Sequence, residues 1–383
     1  MPKAKSPLKI GFVFDDSLDS SDGVAQYVKA LGSWLGGQGH EVRYLVGETR
    51  ASEWYGGKIY SLARNQRIIF NGNRLSIPLP AKRSRIKQVL ETEGFDVLHV
   101  QVPHSPLMSQ RVINAAGPNT AIVGTFHILP SGWLTSWGSR LLRLMYGSGL
   151  ARFDKIYSVS PPAAEFAKSA FGLDTEILPN VVDINRFEAA KTTKEPKNTK
   201  KIVFLGRLVK RKGAVELLRA YAKADLDAEL IIAGDGPLRN KLESFVTSHN
   251  LGSKVSFLGF IDERDKQGLL NGANIACFPS LYGESFGIVL IEAMAAGAAI
   301  VLGGNNPGYC SVLDNKPELL VDPKNTEEFA TKLKQLLSDD TLISKLHGWQ
   351  VERVKRYDVA VVGKQLIAEY NVIIAKRINT GHN

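Results

Sequence analysis

Residues 278 to 302 read FPSLYGESFGIVLIEAMAAGAAIVL, and this stretch decides the fold class. Its opening, from Pro279 to Gly283, is rich in turn-forming residues. The residues from about Ser285 to Ala296 follow a helical pattern, and Gly297 is a typical residue to end it. The apolar run from Ala298 to Leu302 then predicts a strand. A turn, a helix and a strand in this order are typical of an α/β fold.

Two carboxylates in this stretch, Glu284 and Glu292, stand eight residues apart. Eight residues at 3.6 per turn make about 2.2 turns, so both side chains can point to the same side of the helix's leading end. Gly287 lets a ligand approach the backbone, and the free amides of a first helical turn bind anions. This layout suits a nucleotide sugar, which has a central diphosphate and a hydroxyl-bearing ring at each end. The alternative interpretation is an amphipathic helix with one capping and one solvated glutamate.

A second motif, GRLVKRKG at residues 206 to 213, follows the predicted strand from Lys201 to Leu205. This motif and the stretch above resemble the donor-binding motifs of the retaining glycosyltransferases of family 4. That family has the GT-B architecture, an α/β fold in which two Rossmann-like doubly wound domains face each other across a cleft. The resemblance covers nearly the whole chain and implies a hexosyltransferase that uses a nucleotide-sugar donor.

The resemblance assigns roles to the residues of both motifs. The residue matching Glu284 contacts the transferred sugar, and the one matching Glu292 holds the nucleotide ribose. Arg207 and Lys212 neutralise the donor diphosphate, because preorganised cations stabilise the charge that the leaving group accumulates in the transition state. No metal and no other cofactor is expected, since two cations already serve the diphosphate. The other expected donor contacts lie in two loops and at the helix start: Gly23, Gly206, Ser285, Phe286, Gly287, Ile288 and Val289.

The chain opens with the pattern of a doubly wound sheet, a strand from Lys9 to Phe14 followed by a helix from about Val24 to Gly36. Family 4 enzymes carry a glycine-rich loop between these elements that approaches the donor phosphates. Gly23 matches the second glycine of that loop, but Asp22 replaces the first. Because an acid there repels a diphosphate unless it points away, the alternative interpretation is an aspartate-capped helix start.

Two residues in the first half of the chain are further candidates for the reaction centre and the acceptor. His127 ends the sequence Thr-Phe-His after a predicted strand, and the matching histidine of the family lies at the cleft near the sugar. A lone histidine is more often structural, but a place at the C-terminal end of a strand favours the functional interpretation. Asp19 falls where the phosphatidylinositol α-mannosyltransferases of the family meet the inositol ring. A loop or helix-capping carboxylate is the alternative for Asp19.

The net charge of +10 is concentrated in one part of the chain. Residues 54 to 153 hold 12 basic and 3 acidic side chains, and no acid occurs from Trp54 to Leu90. This asymmetry indicates a polyanionic partner surface. The predicted basic helix from about Ala81 to Glu93 matches the one with which bacterial phosphatidylinositol α-mannosyltransferases dock on acidic membranes. At about 1 kcal/mol per cation, a reversible membrane contact is expected from its basic cluster: Lys82, Arg83, Arg85 and Lys87.

The cysteine spacing and the lack of long apolar segments indicate where in the cell the protein is expected. The two cysteines, Cys277 and Cys310, have no CxxC spacing, which argues against a metal or disulfide role and for a reducing cytoplasm. The residues from Met1 to Lys9 have no apolar segment of the kind that signal peptides carry. The best candidate for a membrane span, Ile288 to Leu302, is interrupted by Glu292. We therefore expect a cytoplasmic enzyme, peripheral on the inner face of the cell membrane.

A length of 383 residues suits two domains. We expect an N-terminal acceptor-side domain over residues 1–185 and a nucleotide-sugar-binding domain over 186–358, with the polar stretch from Glu188 to Lys200 at the boundary. A C-terminal helix over residues 359–383 is expected to return to the first domain. An Asn71-Gly72 turn and a helix from Ser131 to Leu150 are also predicted.

The resemblance is strongest to the bacterial phosphatidylinositol α-mannosyltransferases, which implies transfer of mannose from GDP-mannose to phosphatidylinositol. The expected partners are thus a nucleotide sugar, a lipid acceptor and an anionic membrane surface, while the oligomeric state is left open. One alternative is a family 4 enzyme with another nucleotide hexose and a different glycolipid or polysaccharide acceptor. A sugar-nucleotide epimerase is less favoured, because those enzymes lack the two paired motifs. A nucleic-acid partner is not expected, because the basic region contains no recognisable RNA or DNA module.

Overall fold

The computed structural model describes residues 7–19, 22–70, 73–79, 81–101, 103, 107–129, 149–189 and 199–380. It divides the chain into unit 1, formed by Met1–Val181 and Val359–Asn383, and unit 2, formed by Val182–Asp358. The first division falls four residues before the expected position, after residue 181 rather than 185. The predicted Asn71-Gly72 turn and all but the last two residues of the predicted helix from Ser131 to Leu150 lie outside the described residues.

In its described residues unit 1 alternates strands and helices, except for five consecutive strands between its first and second helices. Its strands are β1 (Lys9–Phe14), β2 (Glu41–Val46), β3 (Glu53–Trp54), β4 (Gly57–Ser61), β5 (Asn65–Phe70), β6 (Asn73–Pro78), β7 (Val97–Val100), β8 (Ala121–Phe126), β9 (Lys155–Ser158) and β10 (Glu176–Ile177). Its first helices are α1 (Gly23–Gly37), α2 (Arg83–Glu93), α3 (Met108–Ala115) and α4 (Pro161–Phe171).

The main sheet of unit 1 has eight strands in the order β10-β9-β8-β7-β1-β2-β4-β3. Its neighbours pair in parallel except β3 with β4, and β5 pairs with β6 in a separate antiparallel hairpin. Ile10 and Phe12 of β1 pack with Tyr27 of α1 on one face, whereas Val13 packs with Ile86 of α2 on the other. Burial on both faces explains why these strands are continuously apolar.

Unit 2 repeats the alternation. Its strands are β11 (Lys200–Leu205), β12 (Ala228–Ala233), β13 (Val255–Gly259), β14 (Ile275–Phe278), β15 (Ile300–Gly304) and β16 (Leu320–Val321). Its helices are α5 (Ile184–Ala189), α6 (Ala214–Ala224), α7 (Arg239–Ser248), α8 (Glu263–Asn271), α9 (Ile288–Ala296), α10 (Pro307–Val312), α11 (Thr326–Ser338) and α12 (Asp340–Val354). Short 3₁₀ segments cover Lys210–Lys212, Pro317–Leu319 and Lys355–Tyr357.

The sheet of unit 2 is parallel, with the strand order β13-β12-β11-β14-β15-β16. This is the strand order of a Rossmann fold, and the direction of winding reverses between β11 and β14. Ligands of open α/β sheets bind beyond the carboxyl ends of the strands at such a switch point. The two motifs singled out in the sequence follow β14 and β11, so the topology places both at that point.

Three predicted boundaries are wrong. Helix α9 begins at Ile288 rather than Ser285, because Gly287 precedes it with a φ of 114°, outside the helical region. The strand after it is Ile300–Gly304 rather than Ala298 to Leu302. The basic helix begins at Arg83, with Lys82 in extended backbone as its N-cap residue. Gly297 ends α9 in the left-handed conformation, as the sequence predicts.

The last helix, α13 (Val359–Thr380), belongs to unit 1. Its buried side chains, among them Leu366 and Tyr370, join the same apolar cluster as Tyr27 of α1. Gly363 faces the ring of Trp34, and a Cβ at this glycine would lie 2.4 Å from that ring. Among the described residues no helix is long and apolar enough to cross a bilayer.

The contact between Gly363 and Trp34 gives a testable consequence for stability. Replacing Gly363 by Ala inserts a methyl group into a closed contact, which we expect to destabilise the protein by about 1–3 kcal/mol. Gly348 in α12 is the matched control, because a Cβ there meets no atom within 4 Å. Gly348→Ala should stabilise its helix by about 0.5–1 kcal/mol. Thermal unfolding of both variants tests this, and equal stabilisation would contradict a tight contact between α1 and α13.

Candidate active site

The loop after β14 carries Glu284, and the loop after β11 carries Arg211 and Lys212. Arg211 Nη1 and Lys212 Nζ both donate to Glu284 Oε1, each at 2.8 Å. The Glu284 side chain is only 12% exposed. Burial by itself favours the neutral acid, but the charges of Lys212 and Arg211 hold the pKa of Glu284 below its usual value. Glu284 is therefore an ionised carboxylate at neutral pH, bound by two cations.

The backbone keeps these two loops in contact. The amide of Leu281 donates to the carbonyl of Arg211 at 2.8 Å. Gly213 has a φ of 73°, and a Cβ at this position would lie 1.9 Å from the carbonyl oxygen of Pro279. Only glycine combines this backbone conformation with so close an approach. The glycine that ends the motif therefore allows Lys212 to reach Glu284.

The structure adds Arg211 to the two cations that the sequence singles out. Arg207 is exposed and lies on the same loop, whereas Lys212 is partly buried and contacts Glu284 directly. Burial lowers the pKa of Lys212, and the charges of Arg211 and Arg207 add to this effect while Glu284 opposes it. The signal for Arg211 is the run Lys210-Arg211-Lys212, in which three adjacent cations share one 3₁₀ turn. The sequence does not tell which of them face the carboxylate.

The residues from Ser285 to Val289 bring the backbone into the site. Ile288 and Val289 form the start of α9, and Gly287 at the N-cap has no side chain to occupy the first-turn amides. A Cβ at Gly287 would also lie 2.6 Å from the ring of Tyr309. Phe286 is buried and packs edge-on against Tyr357, with ring centroids 5.4 Å apart. Of the predicted donor contacts in this segment, Phe286 has the role of an anchor for the loop.

Glu292 lies about one turn into α9 and is bound to a lysine that the sequence analysis missed. Lys266 Nζ of α8 donates to Glu292 Oε1 at 2.8 Å and contacts Glu263 Oε2 at 2.9 Å. The side chains of Lys266 and Glu292 are 9% and 12% exposed. Although burial opposes it, the two carboxylates raise the pKa of Lys266 above its usual value, so this cation is retained. A carboxylate has about four lone-pair sites, so one such bond leaves Glu292 able to accept others.

In unit 1, Asp22 caps helix α1. Its side chain accepts from the amides of Val24 and Ala25 at 2.9 and 3.0 Å. This is the aspartate-capped helix start that the sequence analysis gave as the alternative. Gly23 is the first residue of the helix, and the two amides beside it are bonded to the Asp22 carboxylate rather than directed at a ligand. The capping geometry argues against a phosphate-binding role for Gly23.

Asp19 is an exposed carboxylate on the loop between β1 and α1. It accepts from Thr49 Oγ1 at 2.8 Å and from the amide of Arg50 at 3.0 Å. Burial slightly favours its neutral form, but these hydrogen bonds hold the pKa of Asp19 below its usual value. Asp19 is thus a fixed, ionised acceptor of hydrogen bonds on the carboxyl side of the unit 1 sheet.

His127 follows β8, at the same side of that sheet, and is 8% exposed. Its Nε2 lies 3.0 Å from Oε1 of the buried Gln101, whose Nε2 donates to the carbonyl of His99 at 3.3 Å. A carbonyl oxygen only accepts, so the amide nitrogen of Gln101 must face His99 and its oxygen must face His127. Nε2 of His127 therefore carries a proton, and Nδ1 is the nitrogen without a proton in the neutral ring.

A buried polar chain lies beside His127. His99 Nδ1 is 2.6 Å from the hydroxyl of Tyr370 in α13, and His99 Nε2 is 2.6 Å from Thr125 Oγ1. Burial, with a contribution from the charge of His127, lowers the pKa of His99 to about 3. The ring of Tyr27 packs edge-on against His127 at 5.1 Å. His99 is therefore neutral at physiological pH.

The four basic residues of the predicted membrane contact, Lys82, Arg83, Arg85 and Lys87, are all exposed. Lys82 is the N-cap residue of α2, and the other three lie in its first two turns. Lys87 is 3.6 Å from Glu91 in an exposed ion pair, which contributes little net attraction. The helix therefore presents its positive charge to solvent.

Comparisons with known proteins find similar sequences along nearly the whole chain. Residues 21–186 match the family described as Glycosyltransferase Family 4, and residues 185–349 match the family described as Glycosyl transferases group 1. Over 374 residues the chain is 32% identical to the phosphatidyl-myo-inositol mannosyltransferase of Mycolicibacterium smegmatis. That similarity covers 96% of this chain and 94% of the relative.

Two solved structures share the fold. A glycosyltransferase from Rickettsia africae ESF-5 has a TM-score of 0.77 at 17% identity, covering 96% of this chain and 99% of the other. Anabaena HepE, solved in complex with UDP and glucose, has a TM-score of 0.73 at 18% identity, covering 95% and 100%. At these identities the likeness shows the fold alone.

The protonation of His127 is open to a direct test. We expect ¹⁵N chemical shifts of the labelled protein to show the Nε2–H form of His127, because the Gln101 oxygen accepts from it. Gln101→Leu should release this preference and give a mixture of both tautomers. Gln101→Glu keeps an oxygen acceptor and should keep the Nε2–H form. An Nδ1–H form in the unmodified protein, or no change in Gln101→Leu, would contradict the assignment.

Proposed function

The chain belongs to the family 4 glycosyltransferases and is a hexosyltransferase of the GT-B fold, and on this basis we propose that it transfers mannose from GDP-mannose to phosphatidylinositol. The observation that carries the donor half of the proposal is the ionised Glu284 bound by Arg211 and Lys212 at the switch point of unit 2. Similarity over nearly the full length to phosphatidyl-myo-inositol mannosyltransferases supports the choice of hexose and acceptor.

The donor half of the proposal rests on charge complementarity. Arg207, Arg211 and Lys212 bind the diphosphate of the donor, and this contact competes with their attraction to Glu284. Glu284, relieved of part of that pairing, accepts hydrogen bonds from the hydroxyls of the hexose. The amides at the start of α9 add donors for a phosphate oxygen. Because three side chains supply positive charge at this place, the proposed donor site uses no metal ion.

The nucleoside end of the donor lies, in this proposal, at Glu292. The ribose hydroxyls donate to the carboxylate oxygens that Lys266 leaves available. Lys266 is a positioning residue, because its bonds to Glu292 and Glu263 fix the direction of the Glu292 carboxylate. A rotating carboxylate would lose side-chain entropy on binding, so this fixation favours affinity.

In the proposed step, the bond between C1 of the mannose and the β-phosphate oxygen breaks. A hydroxyl oxygen of the inositol ring forms its bond to C1 from the same face, so the anomeric configuration is retained. The proton of that hydroxyl passes to the departing phosphate oxygen, which leaves as part of GDP. The cations of the β11 loop stabilise the charge that grows on the diphosphate. No side-chain nucleophile takes part.

Unit 1 supplies the acceptor contacts in this proposal. Asp19 is ionised and exposed, and its oxygens have lone pairs for inositol hydroxyls beyond the bonds to Thr49 and Arg50. His127 hydrogen-bonds the sugar or the backbone near the reaction centre. The buried contact with Gln101 fixes the ring for that contact.

The membrane contact is proposed from the exposed basic side chains of α2. Each cation near an anionic leaflet contributes about 1 kcal/mol, so four of them hold the protein at the membrane surface reversibly. In this proposal the enzyme acts at the inner face of the cell membrane, where it would meet both a nucleotide sugar and the lipid acceptor. The attraction decreases with ionic strength.

A second candidate keeps the enzyme class and changes the substrates. The solved HepE structure, which shares the fold, contains UDP and glucose. Another nucleotide hexose with a different glycolipid or polysaccharide acceptor is therefore the alternative. In the proposal Glu284 and Glu292 accept from sugar hydroxyls and do not contact the base, so their roles fit either donor.

The transfer assay combines the purified protein with GDP-mannose and vesicles that contain phosphatidylinositol, and mass spectrometry reads the lipid products. We expect phosphatidylinositol heavier by one hexose. UDP-glucose in place of GDP-mannose is the matched control for the donor. A product with UDP-glucose alone would favour the second candidate, and no product with any nucleotide hexose would contradict the proposal.

The role of Glu284 gives a sharper form of this test. Glu284→Ala should reduce transfer by about 100-fold or more, as removal of a preorganised transition-state contact commonly does. Glu243→Ala is the control. Glu243 is also bound to an arginine, Arg239, but it lies on α7 and makes none of the proposed substrate contacts. Initial rates of both variants, with their circular dichroism, check the prediction. Near-normal turnover of Glu284→Ala would contradict the assignment of this residue.

A further inference from the structure

The start of helix α10 packs against the donor loop, residues 279–287, which connects β14 to α9 and carries Glu284. Asn306 caps α10, because its Oδ1 accepts from the amide of Tyr309 at 3.1 Å. The Nδ2 of the same side chain donates to the carbonyl of Ser280 in the donor loop at 3.0 Å. All three of these residues are buried. One asparagine therefore joins the first turn of α10 to the donor loop, four residues before Glu284.

Two further contacts of α10 lie at Glu284 and just after it. A Cβ at Gly308 would lie 2.2 Å from the carbonyl oxygen of Glu284, so the backbone of α10 lies directly against that peptide group. The ring of Tyr309 packs against Gly287, where a Cβ would lie 2.6 Å from the ring. Helix α10 therefore contacts the donor loop before, at and after Glu284.

The hydroxyl of Tyr309 is linked to the Glu284 carboxylate through Ser280. It lies 3.2 Å from Ser280 Oγ. Burial opposes the ionised form of Glu284, whereas its two cations and a hydrogen bond from the Ser280 hydroxyl hold the pKa of Glu284 low. A serine has one proton to donate and a charged carboxylate is the stronger acceptor, so the Tyr309 hydroxyl donates to Ser280. Burial, and then the charge of Glu284, raise the pKa of Tyr309, which keeps this proton in place.

The contacts from α10 differ from the ion pairs of Glu284 in when they are available. Arg211 and Lys212 hold the carboxylate while no substrate is bound. In the proposed reaction these cations bind the diphosphate, so Glu284 loses part of their support when it has to contact the hexose. The hydrogen bonds of Tyr309 and Ser280 use neither cation and stay available in both states. A misplacement of about 1 Å at a reaction centre can cost about 100-fold in rate, so this second support matters for the reaction.

We propose that Tyr309 is a positioning residue for Glu284, which holds the carboxylate in place through Ser280 while the cations bind the donor diphosphate. Tyr309 is buried and acts through these two residues rather than on the substrate. The inference rests on the proposed function for the role of Glu284, and it adds a residue that lies outside both sequence motifs.

The test compares two variants that each lose one buried hydroxyl of unit 2. Tyr309→Phe removes the donor to Ser280 and keeps the ring. Tyr221→Phe is the matched control: the buried Tyr221 hydroxyl donates to the carbonyl of Ala228 and lies 3.4 Å from that of Lys254. Both carbonyls lie at the amino ends of the strands, opposite to the donor loop. Thermal unfolding followed by circular dichroism confirms that both variants are folded at the assay temperature.

The first readout is the ¹³C NMR signal of the Glu284 carboxylate in protein labelled at the glutamate side-chain carboxyl carbon. The signal missing from Glu284→Gln identifies it. We expect this signal to move in Tyr309→Phe and to titrate at a higher pH, because the Ser280 hydroxyl is no longer fixed towards the carboxylate. Tyr221→Phe should leave it unchanged. The readout needs no substrate, so it is independent of the transfer reaction. An unchanged signal in Tyr309→Phe, or equal changes in both variants, would overturn the proposal.

The second readout is the rate of transfer with the nucleotide hexose that serves as donor. We expect kcat of Tyr309→Phe to fall about fivefold to tenfold, as the loss of one hydrogen bond does. The affinity for GDP, measured by titration calorimetry, should stay the same, because the cations that bind the diphosphate are unchanged. A kcat no lower than that of Tyr221→Phe would overturn the positioning role. Absence of product with the unmodified protein would contradict the proposed transfer alone, and the NMR signal would then decide on Tyr309.

Discussion

The ion pairs of Glu284 with Arg211 and Lys212 determine the arrangement of the candidate donor site in unit 2. A carboxylate that is 12% exposed is stable in its charged form only while cations remain beside it. Arg211 and Lys212 meet this need because β11 and β14 are neighbouring strands, so that the loops beyond their carboxyl ends meet. The same cations are what a diphosphate requires. The ion pairs with Glu284 thus keep Arg211 and Lys212 in place. The diphosphate of the proposed donor competes with the Glu284 carboxylate for these two cations.

In unit 1, hydrogen bonds rather than ion pairs hold the side chains around His127 in place. His99 stays neutral because it is buried between Tyr370 and Thr125, and His127 lies beside it. Gln101 fixes the orientation of that ring. The last helix, α13, takes part through Tyr370, so the C-terminal segment of the chain supports the surroundings of His127 as well as the apolar core.

The sequence predicts the parts of this structure that depend on local pattern. The two-unit α/β fold, the strand before each motif and the assignment of Lys212 and Glu284 to one donor site follow from apolar periodicity, glycine positions and the family resemblance. Arg211, Lys266 and Gln101 were missed because their roles depend on which side chain a neighbouring loop or helix presents to them, and this is set by tertiary packing. The helix start predicted for α9 was too early for a different reason: Gly287 has a φ of 114°, and a Cβ there would lie 2.6 Å from the ring of Tyr309. Asp22 stands where the family has the first loop glycine, and its side chain caps α1.

The competition between Glu284 and the donor diphosphate is the central claim, and titration calorimetry with GDP measures it most directly. Glu284→Gln keeps the size of the side chain and removes the charge that occupies Arg211 and Lys212. We expect GDP to bind this variant about tenfold more tightly than the unmodified protein, a gain of about 1.4 kcal/mol. Unchanged or weaker GDP binding would show that these two cations do not exchange the carboxylate for the diphosphate.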